Sequence, residues 1–224
     1  MSRDIRQQYD DVSEAFIDNH IDTNQINRAK MRDFVGGDLL GKLLLDLCCG
    51  DGYDANHYQS LGAIVQGLDA SGALISKAQK DYSKIIFTEG LAESMPYADG
   101  VFDIVTSKYA IMTSHDMGPI FDEVSRVLKP EGEFIYLVTH PMRQFIERKD
   151  LKSDYFEQTE VKSNILDNTV TVTEPTHTFN EYFNKKILER FDIHDFEECY
   201  DPAAEQIYGG KYPGFMIVKC VKRK

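Results

Sequence analysis

The sequence predicts an α/β fold in which a doubly wound parallel sheet carries helices on both faces. Three observations predict it. Leu43-Leu44-Leu45-Asp46-Leu47-Cys48-Cys49-Gly50-Asp51-Gly52 runs from an apolar strand into a carboxylate and a two-glycine turn. A second apolar segment, residues 63–68, again ends in an acid, Asp69. From there, strand-like and helix-like patterns alternate as far as residue 139, the rhythm of parallel strands joined by helical crossovers.

Residues 4–34 are polar with spaced apolar positions (Ile5, Tyr9, Val12, Phe16, Ile17) that suit an amphipathic helix, and Gly36-Gly37 ends this cap. Strands are expected at 43–47, 64–68, 85–88, 101–107 and 134–139. Helices are expected at 53–61, 73–82 and 117–127, the first ending at Gly62 and the last stopped by Lys129-Pro130. Residues 140–178 break the rhythm, with 159–173 alternating as β structure around an Asp167-Asn168 turn. A helix is expected over 178–190, and a final strand pair at 191–198 and 215–221.

Bulk properties narrow the functions. A chain of 224 residues suits one domain with a substantial core, or one domain with an elaborated lid. A formal charge of −12 opposes a broad nucleic-acid footprint, which needs clustered Lys and Arg. Lys219, Lys222, Arg223 and Lys224 form the one dense basic cluster and read as a solvated tail. No apolar run approaches the roughly 20 residues that cross a bilayer. The start, Met1-Ser2-Arg3-Asp4, is not signal-like. Cys48, Cys49, Cys199 and Cys220 lack C-x-x-C spacing, which points to a reducing cytoplasm. The six histidines are scattered without H-x-x-x-H spacing, so no metal site is expected.

The turn after the first strand poses the cofactor question. Gly50-x-Gly52-x-x-Ala55 satisfies the dinucleotide fingerprint, with Asp69 near the place of a ribose-binding acid. A pyrophosphate would sit against backbone N–H groups at the helix start. Yet Asp46, Asp51 and Asp54 share that turn, a poor setting for two phosphates unless their side chains point away. A cationic ligand without phosphate, such as S-adenosylmethionine, suits this charge better.

Here the sequence resembles a known family. Asp46-Leu47-Cys48-Cys49-Gly50-Asp51-Gly52 resembles the D-x-G-C-G-x-G motif of class I S-adenosylmethionine-dependent methyltransferases, in the small-molecule, type 11-like branch. Leu68-Asp69-Ala70-Ser71 resembles the acidic strand end that holds the ribose hydroxyls. Ala92-Glu93-Ser94-Met95-Pro96-Tyr97 with Phe102-Asp103-Ile104-Val105, and Arg126-Val127-Leu128-Lys129-Pro130-Glu131-Gly132, resemble two further family blocks. The four blocks span residues 43–139 in order. The resemblance implies a Rossmann-like sheet of seven strands, mostly parallel with one antiparallel strand. It also implies a single methyltransferase domain: a helical cap (1–40), a cofactor-binding core (41–139), a substrate-shaping insertion (140–178) and a closing helix and strand pair (179–224). Two departures stand out. Cys48 replaces the first loop glycine and is expected to be tolerated with a negative φ, and Leu91 stands where relatives often have an Asp that accepts from the adenine amine.

The resemblance implies transfer of a methyl group from S-adenosylmethionine to a small-molecule acceptor by in-line displacement, leaving S-adenosylhomocysteine. The cofactor-binding set is Asp46, Cys48, Gly50, Gly52, Asp69, Ala70, Ala92, Glu93 and Ser107. Asp69 would clasp the ribose. Asp46 would steady the loop or reach the methionine amine through water, or simply cap the turn. Gly50 and Gly52 would admit the ligand or only shape a turn; Ala92 and Glu93 would edge the adenine. Ser107, Lys108 and Met112 follow strand four toward the pocket. His140, after strand five, is the first candidate for a general base, or else a histidine satisfied by loop backbone. His115, His177 and Tyr182 are lesser candidates. Tyr9 and Phe16 either close the cap over the cofactor or form the buried face of their helix. Expected partners are the acceptor alone, with no nucleic acid and no membrane, in a monomer or homodimer. Two alternatives stay open: a non-catalytic S-adenosylmethionine-binding protein, and an NAD-dependent oxidoreductase.

Overall fold

A computed structural model describes residues 5–23, 25–148, 154–166, 169–202 and 210–224. The expected Asp167-Asn168 turn and the polar segment 1–4 lie outside the described residues. Helices α1 (Ile5–Thr23) and α2 (Gln25–Val35) precede the sheet. Then follow β1 (Leu43–Leu47), α3 (Tyr53–Ser60), β2 (Ile64–Asp69), α4 (Gly72–Asp81), β3 (Ile86–Glu89), β4 (Phe102–Lys108), α5 (Gly118–Val127) and β5 (Leu128–Thr139). Beyond them lie α6 (Pro141–Arg143), the hairpin strands β6 (Glu160–Ile165) and β7 (Val170–Pro175), and helices α7 (Phe179–Tyr182) and α8 (Lys185–Arg190). Strands β8 (Phe191–Cys199) and β9 (Phe215–Lys222) close the fold.

Seven strands form one sheet in the order β3-β2-β1-β4-β5-β9-β8. All neighbours from β3 to β5 are parallel, and β9 runs antiparallel to both β5 and β8. This is the expected doubly wound sheet with one antiparallel strand. The chain moves outward from β1 to β3 and then returns to β4 on the other side of β1. At that reversal the loops leave in opposite directions and open a crevice above the strand ends.

Adjacent residues on the central strands face opposite layers. Leu45, Val105, Phe134 and Tyr136 pack with Ile120, Phe121 and Val124 of α5. Leu44, Ile104, Ile135 and Leu137 pack with Met31 and Val35 of α2 and with Ala55 and Tyr58 of α3. Burial on both faces explains why β1 opens on three successive leucines, Leu43-Leu44-Leu45, rather than on an alternating pattern. Helix α5 earns its place through a buried stripe, Ile120, Phe121, Val124 and Val127, with Pro119 in its first turn.

The turn between β1 and α3 depends on left-handed backbone. Gly52 holds φ +82°, and a Cβ there would meet the Phe87 ring at 2.6 Å. Gly52→Ala should combine about 1–2 kcal/mol of left-handed strain with about 1 kcal/mol or more of overpacking. The expected result is a loss near 3 kcal/mol in urea unfolding, with an unchanged m value.

Three expectations are corrected. β5 begins at Leu128 rather than near residue 134, because Leu128 pairs with Phe102 before the ladder shifts register. Glu131, at φ +63°, and the following glycine absorb that irregularity. The expected helix over 178–190 is two helices. Thr178 and Glu181 form a capping box on α7, and Asn184 restarts the chain by accepting from the Ile187 N–H as the cap of α8. Cys48 takes φ +58°, not a negative value. The basic residues near the C-terminus also make specific contacts: Lys219 pairs with Glu133, Arg223 with Asp192 and Lys224 with Glu131.

Candidate active site

A cavity of 510 Å³ opens over the strand ends at the β1/β4 reversal, within the range of small-molecule clefts. Its floor is built by the loop after β1 (Cys48 to Asp51), the end of β2 (Asp69 to Ser71) and the segment after β4 (Lys108 to Thr113). Its roof comes from Tyr9 and Phe16 of α1 and from the β6–β7 hairpin. Tyr9, Val12 and Phe16 pack on Leu166, Val170 and Val172, so the two parts of the roof share one apolar seam. Gln8 stitches it further: its amide donates to the Thr173 carbonyl at 3.0 Å and accepts from the Thr173 N–H at 2.9 Å.

Asp69 is held from behind. Its Oδ2 accepts from the Gly50 N–H at 2.8 Å and its Oδ1 from the Ser71 N–H at 2.9 Å. Burial raises its pKa, while these backbone donors pull it back toward the charged form. The carboxylate therefore faces the cavity as a fixed acceptor with lone pairs to spare. Asp46 ends β1 beside it. Its Oδ1 accepts from Thr106 Oγ1 at 2.9 Å, and its buried Oδ2 has no hydrogen-bond partner. Burial, then the nearby Asp54 charge, pushes this carboxyl up to about 7.

A three-part ion cluster stands beneath the loop. Asp54 receives Arg28 Nε at 2.9 Å and Lys108 Nζ at 2.5 Å, joining α2, the first turn of α3 and the end of β4. Burial opposes charge on both partners. It prevails at Lys108, whose pKa is lowered, and loses at Asp54, which two cations hold at about 2. Asp46, Asp51, Asp54 and Asp69 all line the cavity, and Asp54 does so with its carboxylate engaged by the two cations. Arg28 and Lys108, the cations beside the loop, are already committed to Asp54, which leaves the glycine turn poorly suited to a pyrophosphate.

Of the residues expected from sequence, Asp46, Cys48, Gly50, Asp69 and Ala70 line the cavity together, as do Lys108, Met112, Tyr9 and Phe16. The others lie elsewhere. Gly52 backs onto Phe87, and Ala92 packs in the core with Leu68 and Met95. Glu93 edges a separate 280 Å³ depression with Gln8 and His115. Ser107 is buried with an unpartnered hydroxyl outside the lining residues. His140 is also outside them. Its Nδ1 accepts from the Met142 N–H at 3.1 Å, so the ring proton sits on Nε2, which meets Glu198 Oε1 at 2.8 Å. Burial lowers its pKa, and no nitrogen lone pair remains to take a proton from a substrate. Tyr182 is core, stacked on Tyr136. His177 ties the Met112 carbonyl to Glu181, and His115 sits on the surface against Gln158 and Glu160.

Sequence reasoning missed Arg28, Arg143 and Glu174, all of which line the cavity. For Arg28 a signal existed: a buried arginine on the apolar face of a cap helix asks for a carboxylate partner. Glu174 is buried in β7. Its Oε1 accepts from Ser163 Oγ at 2.7 Å and from Gln144 Nε2 at 3.3 Å.

A parallel sheet whose topological reversal carries a glycine turn and a cavity-facing acid has the layout in which α/β proteins bind ligands at the carboxyl ends of their strands. Comparison with known proteins agrees. Residues 45–136 match a family model described as a methyltransferase domain. A Synechocystis protein named as an uncharacterized methyltransferase is 38% identical over 102 residues, 45% of this chain and 48% of its own. The demethylmenaquinone methyltransferase of Lactococcus lactis is 39% identical over 114 residues, 47% of this chain and 45% of its own. The chain thus spans about half the length of these curated relatives. A crystal structure of an S-adenosylmethionine dependent methyltransferase from Mesorhizobium loti superposes with a TM-score of 0.71 at 20% identity, covering 90% of this chain and 99% of that one. Residues 45–136 are thus similar to a methyltransferase domain, and the solved structure shares the fold of the whole sheet.

Proposed function

We propose that this protein is an S-adenosylmethionine-dependent methyltransferase acting on a small-molecule acceptor. The observation that carries the reading is the pair of cavity-facing carboxylates: Asp69 clamped by two backbone N–H groups, and Asp46 with a buried, unpartnered Oδ2. Asp69 would accept from the ribose hydroxyls, and the orphan oxygen of Asp46 suits the α-ammonium of the methionine part. The bound group supplies an electrophilic methyl on a sulfonium whose departure leaves a neutral thioether. The chain's part is alignment and exclusion of water, for which the apolar seam between α1 and the hairpin forms the cover. Calorimetric titration with S-adenosylhomocysteine and with NADH tests the reading. Binding of the first without the second supports it, and the reverse result rejects it.

Asp46 gives this test a pH signature. A carboxyl with a pKa near 7 is about half protonated at neutral pH, and an incoming ammonium favours the charged form. Binding should therefore release a fraction of a proton, and affinity should fall as pH drops below 7, by up to about tenfold per unit. Titration in buffers of different ionisation enthalpy measures the release. Asp46→Asn should abolish it.

The four cysteines are free, and three of them are buried, which supports a reducing, cytoplasmic setting. No described helix is long and apolar enough to cross a membrane. A monomer or homodimer without nucleic-acid partners completes the proposal.

A further inference from the structure

An ammonium held by Asp46 leaves the carboxylate of the same amino-acid group to be accommodated. The two charged groups share one carbon, so the carboxylate carbon lies about 2.5 Å from the nitrogen. Its partner must therefore stand beside Asp46. Lys108 stands there. Asp46 of β1 pairs with Thr106 of β4, and the Thr106 hydroxyl donates to Asp46 Oδ1, so both side chains face the same way. Lys108 follows two residues later on β4 and shares that face. Burial and then the Asp54 charge push the Asp46 carboxyl up, and Lys108 is the cation that opposes them.

Four cationic side chains of the described residues line the cavity: Arg28, Lys108, Arg143 and Lys162. Arg143 belongs to α6, beyond β5, and is shared between Glu147 at 2.9 Å and Asp201 at 2.6 Å. Lys162 belongs to β6, in the roof. Arg28 gives its Nε to Asp54 and lays its guanidinium 4.5 Å over the Tyr53 ring. Lys108 gives its Nζ to the same Asp54 at 2.5 Å, its one hydrogen-bond or ion-pair partner among the described residues. An ammonium carries three N–H donors, so two remain. The Lys108 side chain is 16% exposed in the cavity wall, which gives those donors a way to a ligand. Two cations around one carboxylate keep a net positive charge there. Burial lowers the Lys108 pKa, and a second carboxylate beside it favours the charged form.

Building on the methyltransferase reading, we propose that Lys108 binds the α-carboxylate of the methionine part, so that the ends of β1 and β4 together recognise an amino-acid zwitterion. The ammonium goes to Asp46 and the carboxylate to Lys108. Asp54 acts through Lys108, holding one of its donors and fixing the ammonium against the sheet. The tail of the methyl donor is then pinned at two points on adjacent strands, and a thionucleoside without the carboxylate loses one of them.

Calorimetric titration with two ligands tests this without turnover. The first is S-adenosylhomocysteine; the second is its decarboxylated analogue, which keeps the nucleoside, the thioether and the amine. Wild-type protein should bind the first at least about tenfold more tightly, the loss expected for one hydrogen bond between charged groups. In Lys108→Met, and in the more polar Lys108→Gln, that ratio should fall at least about threefold. The ratio is the readout because whatever either substitution does to Asp46 acts on the amine of both ligands. Arg143→Met should keep the wild-type ratio within about twofold. A wild-type ratio below tenfold, a smaller fall in a folded Lys108 variant, or a larger fall in Arg143→Met than in the Lys108 variants would each overturn the proposal. Failure of S-adenosylhomocysteine itself to bind wild-type protein would instead sink the reading on which it rests.

Discussion

Asp69→Ala should weaken S-adenosylmethionine and S-adenosylhomocysteine binding by at least about 100-fold, measured by calorimetry at a temperature where the variant is folded. Each Asp69 oxygen holds one backbone N–H, from Gly50 or Ser71, and those bonds aim its remaining lone pairs into the cavity. Hydrogen bonds to a charged group contribute about 1.5–3 kcal/mol each, so losing two to the ribose costs about 3 kcal/mol or more. The variant also strips acceptors from the Gly50 and Ser71 N–H groups, which should lower stability by about 1–3 kcal/mol. Asp69→Asn separates the two effects. Its amide keeps one acceptor oxygen and presents an NH2 where the other stood, so binding should fall about tenfold, between wild type and alanine. Unchanged affinity in the alanine variant would mean that the pocket has been placed wrongly.

The sequence made Asp69 legible because it closes a mostly apolar segment right after the glycine turn's helix, and the buried end of β2 leaves little ambiguity about where the strand stops. The same logic located β1, β2, β4 and the loop acids within a residue or two. Elements set by long-range partners were not legible. The early start of β5 depends on Phe102 pairing with Leu128, and nothing in Lys129-Pro130 announces a strand. The break at Phe183-Asn184 is a choice between one helix and two that Asn184 decides by capping. Cys48 was misjudged because sterics argue against a left-handed cysteine, yet the flanking loop holds it there at a cost of about 1–2 kcal/mol. The roof is the clearest case. Gln8 meets Thr173 across most of the chain, so no local pattern could show that α1 and the hairpin enclose one space. Glu174 was hidden for that reason, and His140 looked available because its partner Glu198 sits on β8, far along the chain.

Asp54→Ala should cost about 3–5 kcal/mol of stability, more than the ion cluster contributes in net terms. Arg28 is 3% exposed and Lys108 16% at the side chain, and removing their shared carboxylate takes a close counter-charge from both buried cations. The net worth of the intact cluster is smaller, because burial already works against the Lys108 charge and lowers its pKa. Asp54→Ala combined with Lys108→Met should therefore recover part of the loss in urea unfolding, since one stranded charge is replaced by apolar bulk. The pH dependence follows from the depressed carboxyl, which moves from 3.8 to about 2 on folding, against the opposing effect of burial. A depressed acid stabilises the fold above its unfolded pKa, so Asp54 contributes about 2 kcal/mol above pH 4. That contribution should fade as pH falls from 3.8 toward 2, and the alanine variant should show a correspondingly flatter acid limb. An Asp54→Ala protein as stable as wild type, with the same acid limb, would show that the two cations find other partners and that the loop does not depend on this cluster.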